Sequence, residues 1–286
     1  MSVDHYENFP VASWCLPQNL RKPIGVIYAF ARSADDLADE GEMSNDERLA
    51  ALHAYRCGLT QISENQAPAT PLFNALADVI REFKLPIAPF YDLLSAFSQD
   101  IEQNRYTDFH TLLDYCSRSA NPVGHIVLAL THQNTPENIA LSDRICTALQ
   151  LINICQDIGI DFGKGRIYLP LNELQLFSLT EKDIAHALTT GKPPPMWSRF
   201  MRFQIRRARH LLLAGSMLTQ QLPGRLRWEI GLTVEGGLEI LRQIELQDGN
   251  VFKYRPTLRL LHWPQLLLRT MQRNGFLWFR PKACSL

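Results

Sequence analysis

The chain is predicted to be all-α, with ten or more helices around one core. Three observations lead there. Apolar residues recur three and four positions apart, as in Leu141, Ile145, Leu149, Ile152 and Cys155, the spacing that lines one face of a helix. Sustained alternation of apolar and polar residues, the mark of a half-buried strand, is absent. Capping residues and prolines punctuate the chain where helices would start.

The elements follow in order. Pro23 suits the first turn of a helix running through Ala29 to Ala38, where its missing N–H leaves nothing unpaired. Ser44-Asn45-Asp46-Glu47 has the spacing of a capping box. Thr70-Pro71, Asn121-Pro122 and Thr135-Pro136 each pair a capping residue with a proline at the first helical position. Asp108 and Thr180 are further caps. Gly159 to Pro170 is irregular, and Gly191 to Pro195 reads as a proline-rich linker before a long helix. Glu235-Gly236-Gly237 sits in a helical stretch, where the glycines permit close packing.

Residues 1–286 are read as a single domain, with 257–286 as a basic C-terminal tail. In that tail Leu260, Leu261, Trp263, Leu266, Leu267 and Leu268 mix with Arg259, Arg269 and Arg273. A core-packing helix is the preferred reading. A basic amphipathic face resting on a membrane is the alternative.

Composition narrows the class. Hydrophobic residues are 46% and charged residues 20% of the chain, which places it among globular proteins. A net charge of zero gives no case for a nucleic-acid partner. From Arg199 to Leu286 there are 15 Lys and Arg against 5 Asp and Glu, so the rest of the chain is correspondingly acidic. Most of these charges are read as solvated helix faces, with contact to anionic lipid or diphosphate as the minority reading. The six cysteines form no C-x-x-C pair, which suits reduced thiols in a cytosolic protein. No basic stretch followed by an apolar one opens the chain, so no signal peptide is expected. No apolar run is long enough to cross a bilayer. The expected location is cytoplasmic, with the tail as the region for peripheral contact at the membrane face. The histidines lack zinc spacing, and neither a dinucleotide fingerprint nor a phosphate loop is present, so no nicotinamide cofactor is expected.

Chemistry concentrates in two aspartate clusters. The first is Arg32-Ser33-Ala34-Asp35-Asp36-Leu37-Ala38-Asp39-Glu40. In a helix, positions four apart share a face, about 6 Å along the axis. Arg32, Asp35 or Asp36, and Asp39 then lie together, with Tyr28 one turn earlier. Two carboxylates so spaced can ligate Mg²⁺, which takes oxygen ligands and readily shares them with substrate phosphates. Arg32 is placed to reach the same phosphate oxygens. The bland alternative is an acidic helix end in water.

The second cluster weakens that alternative. Gln150, Asn153, Asp157 and Asp161 form a polar strip down a helix otherwise made of Leu151, Ile152, Ile154, Cys155, Ile158 and Ile160. Such a stripe is costly in a core unless something cationic pairs with it. Lys164 and Arg166 follow on a glycine-flanked loop. Two carboxylate sets facing each other would hold divalent metal and, through it, a diphosphate.

Five ordered segments carry a resemblance. They are Asn8-Phe9-Pro10-Val11-Ala12-Ser13 through Leu16-Pro17, then Tyr28 to Asp39, then Tyr115-Cys116-Ser117-Arg118-Ser119-Ala120-Asn121-Pro122-Val123-Gly124, the Gln150–Asp161 strip, and Gly165-Arg166-Ile167-Tyr168-Leu169-Pro170. Together they resemble the squalene/phytoene synthase family, the head-to-head isoprenyl transferases, over nearly the whole chain. The resemblance implies an isoprenoid synthase fold, a single helical domain around a central cavity. It implies that Asp35, Asp36, Asp39, Asn153, Asp157 and Asp161 hold Mg²⁺ against a prenyl diphosphate. Arg32, Asn153, Lys164 and Arg166 would contact substrate. Tyr28, Tyr115 and Gln150 would line the cavity near the reacting carbons, and small residues at Ala120 and Gly124 would leave room for a prenyl chain.

The chain also departs from the family pattern, whose second motif reads N-x-x-R-D-x-x-E-D. Gln156 stands for the arginine and Ile160 for the glutamate, and Glu7 stands where many members are basic. Two cations that a second diphosphate would need are missing. The pattern is similar to the hydroxysqualene synthase branch, which converts presqualene diphosphate and water to hydroxysqualene in squalene and hopanoid biosynthesis, beside companion squalene-pathway enzymes. The alternatives are condensation of two prenyl diphosphates, as by presqualene diphosphate, squalene or phytoene synthases, and a non-catalytic protein that binds prenyl lipid or assists assembly.

Overall fold

The structure is a computed structural model and describes residues 18–275. The Asn8–Pro17 segment, Glu7 and residues 276–286 of the tail lie outside that range. The described elements are all helical: α1 (Gln18–Asp39), α2 (Asn45–Ser63), α3 (Pro71–Phe83), α4 (Ala88–Glu102), α5 (Phe109–Ser119), α6 (Asn121–Leu130), α7 (Pro136–Gln156), α8 (Ile158–Gly163), α9 (Leu171–Leu176), α10 (Glu181–Thr190), α11 (Trp197–Gly215), α12 (Leu218–Gln221), α13 (Gly224–Leu246) and α14 (Trp263–Gly275). A single parallel bridge, Arg105 to Ile167, is the only β pairing among the described residues.

Most helix starts obey the expected chemistry. Ser44 and Glu47 form a reciprocal capping box, and Thr70, Asp108, Thr135 and Thr180 each accept a backbone N–H three residues on. Two expectations are corrected. Pro23 lies inside α1 rather than in its first turn, since the helix already runs from Gln18. Asn121 does not cap α6. It is buried as that helix's first residue, and its side-chain oxygen accepts the Thr147 hydroxyl of α7 at 3.0 Å.

The apolar residues form two clusters rather than the one core expected. Phe30, Leu59, Leu76 and Phe90 anchor the first, from α1 to α4. Leu151, Ile152, Phe200, Leu212 and Ile240 anchor the second, from α7, α11 and α13. Helices α4 and α6 serve both, with Leu94 and Ile126 on one side and Ala96 and Leu128 on the other. A helix with apolar residues around most of its circumference can pack in two directions at once.

Glycines set the closest approaches. A Cβ on Gly237 of α13 would meet Leu212 and Leu149 at 2.9 and 3.0 Å, so α13 seats against α7 and α11 as the glycine pair suggested. A Cβ on Gly215 would stand 2.8 Å from the Leu141 carbonyl, which lets α11 lie tightly along α7. The tail gives a mixed outcome. Leu266 is buried against the body, but Leu260, Leu261, Leu267 and Leu268 are exposed, so the core-packing expectation holds for one leucine of five.

Candidate active site

Long-range contacts bring the two aspartate clusters together. Asp39 ends α1, and Asp161 lies in α8. The loop after α8 bends back across both, because Ile167 donates to the Asn104 carbonyl at 2.9 Å and Arg105 grips the Gly165 carbonyl at 2.6 Å. Arg105 is itself held by Glu181 through two bonds of 2.7 and 2.9 Å. This fixes Lys164 and Arg166 over α1. Lys164 Nζ sits 2.7 Å from one Asp39 oxygen, and Arg166 donates to the other at 2.6 Å. Those two cations hold the Asp39 carboxyl below its ordinary range, although burial pushes the other way.

Arg32 holds Asp36 more closely than Asp35. Its guanidinium lies 2.6 Å from Asp36 and 3.0 Å from Glu40, and more distantly, 3.5 Å, from Asp35. Asp36 is thus tied to its own helix. Asp35 is half-buried, and burial and then the Asp39 and Asp100 charges push it up to about 7. Tyr28 stands one turn before Arg32 on α1.

On the second side the strip does not run along one unbroken helix. Asp157 falls between α7 and α8, although its N–H still reaches the Asn153 carbonyl at 2.8 Å and its carbonyl accepts from Asp161 at 2.9 Å. Gln150 is half-buried and Asn153 exposed on α7. Asp161 is pushed up to about 7, by burial first and then by Asp157. Asp157 is gripped by Arg255, with one bond of 3.0 Å and a second from Nε. Beside it, the buried Gln156 amide donates to the Pro256 carbonyl.

Four further residues take part, to which the sequence assigned no role. Asp100 of α4 accepts from the Tyr115 hydroxyl at 2.9 Å and the Tyr168 hydroxyl at 2.7 Å. Burial pushes Asp100 up to about 6 against the pull of those two bonds and of Arg166. Tyr168 and Tyr106 pack with Tyr115 as three rings with centroids 5.3–5.5 Å apart, and burial raises all three phenols above their ordinary range. Arg255 is the fourth. The polar residue Asp100 in an apolar helix was a readable signal, whereas Arg255 had none, because its partner lies 98 residues away.

Of the two residues expected to make room for substrate, Gly124 faces a neighbouring helix. A Cβ on Gly124 would lie 2.2 Å from Ser142 Oγ and 2.8 Å from Cys146 Sγ, so this glycine lets α6 approach α7. Ala120 is half-buried at the junction of α5 and α6. The cavity beside Asp161, Arg166 and Tyr168 measures about 10 Å³, space for a water rather than a prenyl chain. An open cleft of about 310 Å³ borders Arg255, Arg259, His262, Gln243 and Gln247.

The donor set suits a hard divalent cation. Asp35, Asp39, Asp157 and Asp161 offer carboxylate oxygens from two sides, and Asp35 and Asp161 are half-buried carboxyls whose charge a cation would offset. Among the described residues no three of His, Cys, Asp and Glu converge as a ready-made metal cluster. Asp39 and Asp157 are instead turned onto Lys164, Arg166 and Arg255.

Helices bearing opposed aspartates, closed by a basic loop, define an all-α isoprenoid synthase fold. A family model for squalene/phytoene synthase matches residues 3–262, and the chain belongs to that family of isoprenoid-biosynthesis enzymes. It is 33% identical over 272 residues to a phytoene synthase of Arthrospira platensis, covering 89% of this chain and 85% of the relative. It is 39% identical over 179 residues to the hydroxysqualene synthase of Zymomonas mobilis subsp. mobilis, covering 62% of this chain and 59% of the relative. The squalene synthase HpnC from Alicyclobacillus acidocaldarius superposes with a TM-score of 0.78 at 38% identity, covering 85% of this chain and 90% of that one.

Proposed function

We propose that this protein converts presqualene diphosphate and water to hydroxysqualene and diphosphate, with Mg²⁺. The observation that carries the reading is Gln156. Where the family pattern places an arginine beside the second aspartate set, this chain has a buried amide turned onto the Pro256 carbonyl. Ile160, at the glutamate position, is an exposed apolar residue. Neither can hold a second diphosphate, so a substrate already joined and carrying one diphosphate fits better than two prenyl diphosphates. Two relatives named hydroxysqualene synthase, at 39% and 32% identity, favour the same reading.

Asp35, Asp39, Asp157 and Asp161, with Asn153, would hold the ions, and Mg²⁺ supplies Lewis-acid stabilisation of the departing diphosphate. Lys164 and Arg166 would turn from Asp39 to the diphosphate oxygens, and Arg32 would join them. The carbinyl C–O bond breaks, and the electron pair leaves with diphosphate. Tyr115, fixed by Asp100, and Tyr28 would present ring faces to the cyclopropylcarbinyl cation. Water then adds as the ring opens and loses one proton. No hydride donor enters this balance.

The second reading, condensation of two prenyl diphosphates, draws on the phytoene synthase relative at 33% identity over 89% of this chain. One assay separates them. The protein is incubated with Mg²⁺ and either presqualene diphosphate or farnesyl diphosphate, without NADPH. Hydroxysqualene from the first substrate alone supports the proposal. Presqualene diphosphate or phytoene formed from simple prenyl diphosphates overturns it.

A further inference from the structure

The last helix anchors itself through two ion pairs and one leucine and leaves most of its apolar residues uncovered. Toward α13, α14 turns Leu266 and Thr270, 1% and 0% exposed. On the same side Arg269 reaches Glu239 at 3.2 Å and Arg273 reaches Glu235 at 2.7 Å, and both carboxylates are buried. The opposite side carries Leu267, Leu268 and Met271, 46%, 55% and 54% exposed. A 3₁₀ turn just before it adds Leu260 and Leu261, each 87% exposed. A helix on a water-facing surface ordinarily shows the reverse arrangement. Five large apolar residues exposed within twelve positions mark a surface that meets something else.

Charge identifies what it meets. From Thr257 to Leu286 the chain has five Arg and Lys and no Asp or Glu, and it includes Trp263, Phe276, Trp278 and Phe279. Arg269 and Arg273 are taken up by Glu239 and Glu235 of the body, and Arg259 is left exposed. Leucines, ring side chains and an excess of cations within one segment together are the composition of a segment lying at the surface of an anionic bilayer. No helix among the described residues is long and apolar enough to cross a membrane, so the segment would lie on the surface.

We infer that the Leu260–Met271 face docks on an anionic lipid bilayer. Leu260, Leu261, Leu267, Leu268 and Met271 enter the acyl boundary, and Arg259 stays among the headgroups. The Glu235–Arg273 and Glu239–Arg269 pairs hold α14 on the body while its outer face is in lipid. Arg255, four residues before Arg259, grips Asp157, so the lipid-facing segment is continuous with the second carboxylate set. Docking of this face requires no particular chemistry at that set.

The test is co-sedimentation of the full chain with phosphatidylcholine vesicles, with and without phosphatidylglycerol, at low and high salt. The expected result is binding to the anionic vesicles that weakens with salt. A Leu260→Ser/Leu261→Ser/Leu268→Ser variant should bind about tenfold more weakly or worse, with unchanged thermal melting. Arg259→Glu should weaken binding to anionic vesicles alone. Failure of the full chain to sediment with anionic vesicles overturns the inference, as does equal binding by the serine variant. So does a dimer of the wild-type chain that the serine variant converts to monomer, since that would assign the face to a second copy.

Discussion

Arg166 and Asp39 lie 2.6 Å apart, guanidinium against carboxylate, although 127 residues separate them in the chain. Lys164 takes the other Asp39 oxygen at 2.7 Å. The pair joins the end of α1 to the loop after α8, and so joins the two aspartate clusters. It also places two cations beside Asp39, where the proposed reaction would bring a diphosphate.

Asp39→Asn and Asp157→Ala should each lower turnover about 10²-fold or more, the scale for losing a group that stabilises developing charge. Melting temperature should fall as well, because each substitution removes the partner of a partly buried guanidinium, Arg166 or Arg255. Turnover assays and thermal melts on the purified variants check this. Near-normal activity in either variant would remove the metal role from that residue.

Proton release should accompany Mg²⁺ binding. Asp35 and Asp161 are pushed up to about 7, and each must shed its proton to ligate. A raised carboxyl pKa works against the folded state as pH climbs above the unfolded value near 4 and through the folded value near 7. Mg²⁺ affinity should therefore rise as pH passes through about 7, and added Mg²⁺ should raise the melting temperature more at pH 8 than at pH 6. Calorimetry in buffers of different ionisation enthalpy measures the protons directly. No release near pH 6.5 would show that these carboxyls are already ionised.

Gln156→Ala leaves the Pro256 carbonyl without its buried donor, at a cost of roughly 1–3 kcal/mol in urea unfolding. Because Arg255 is the neighbouring residue, its grip on Asp157 should loosen too. Gln156→Glu, which cannot donate when ionised, should behave like alanine above neutral pH. Wild-type stability in both variants would mean that the amide bond contributes nothing.

Gly124→Ala forces a Cβ to within 2.2 Å of Ser142 Oγ, and overpacking of this kind costs about 1–3 kcal/mol. A second change, Ser142→Gly, should recover much of the loss. Were Gly124 instead lining substrate space, alanine would raise KM without lowering the melting temperature. Measuring both quantities on the single and double variants separates the two roles.

The helical class, the caps at Ser44, Thr70, Asp108, Thr135 and Thr180, and the residues of both aspartate clusters were legible because each depends on neighbours within one or two turns. A carboxylate four residues from another shares its face whatever the rest of the chain does. Periodicity also marked Gly237 as a packing glycine. The same local logic misjudged Asn121, whose amide is used by Thr147 of another helix, and Pro23, which the fold accepts inside α1.

Sequence alone determined that this is an all-helical chain with two aspartate sets of the squalene/phytoene synthase type, and that Gln156 and Ile160 interrupt the second. Tertiary structure decided which charges meet. It set Lys164 and Arg166 on Asp39, Arg255 on Asp157, and Tyr115 and Tyr168 on Asp100, and it turned Leu267 and Leu268 of the last helix outward. Helix periodicity is a property of neighbouring residues, but an ion pair across a fold depends on where two distant backbones come to rest. That is settled by the packing of whole helices and cannot be read from either partner's own surroundings in the chain.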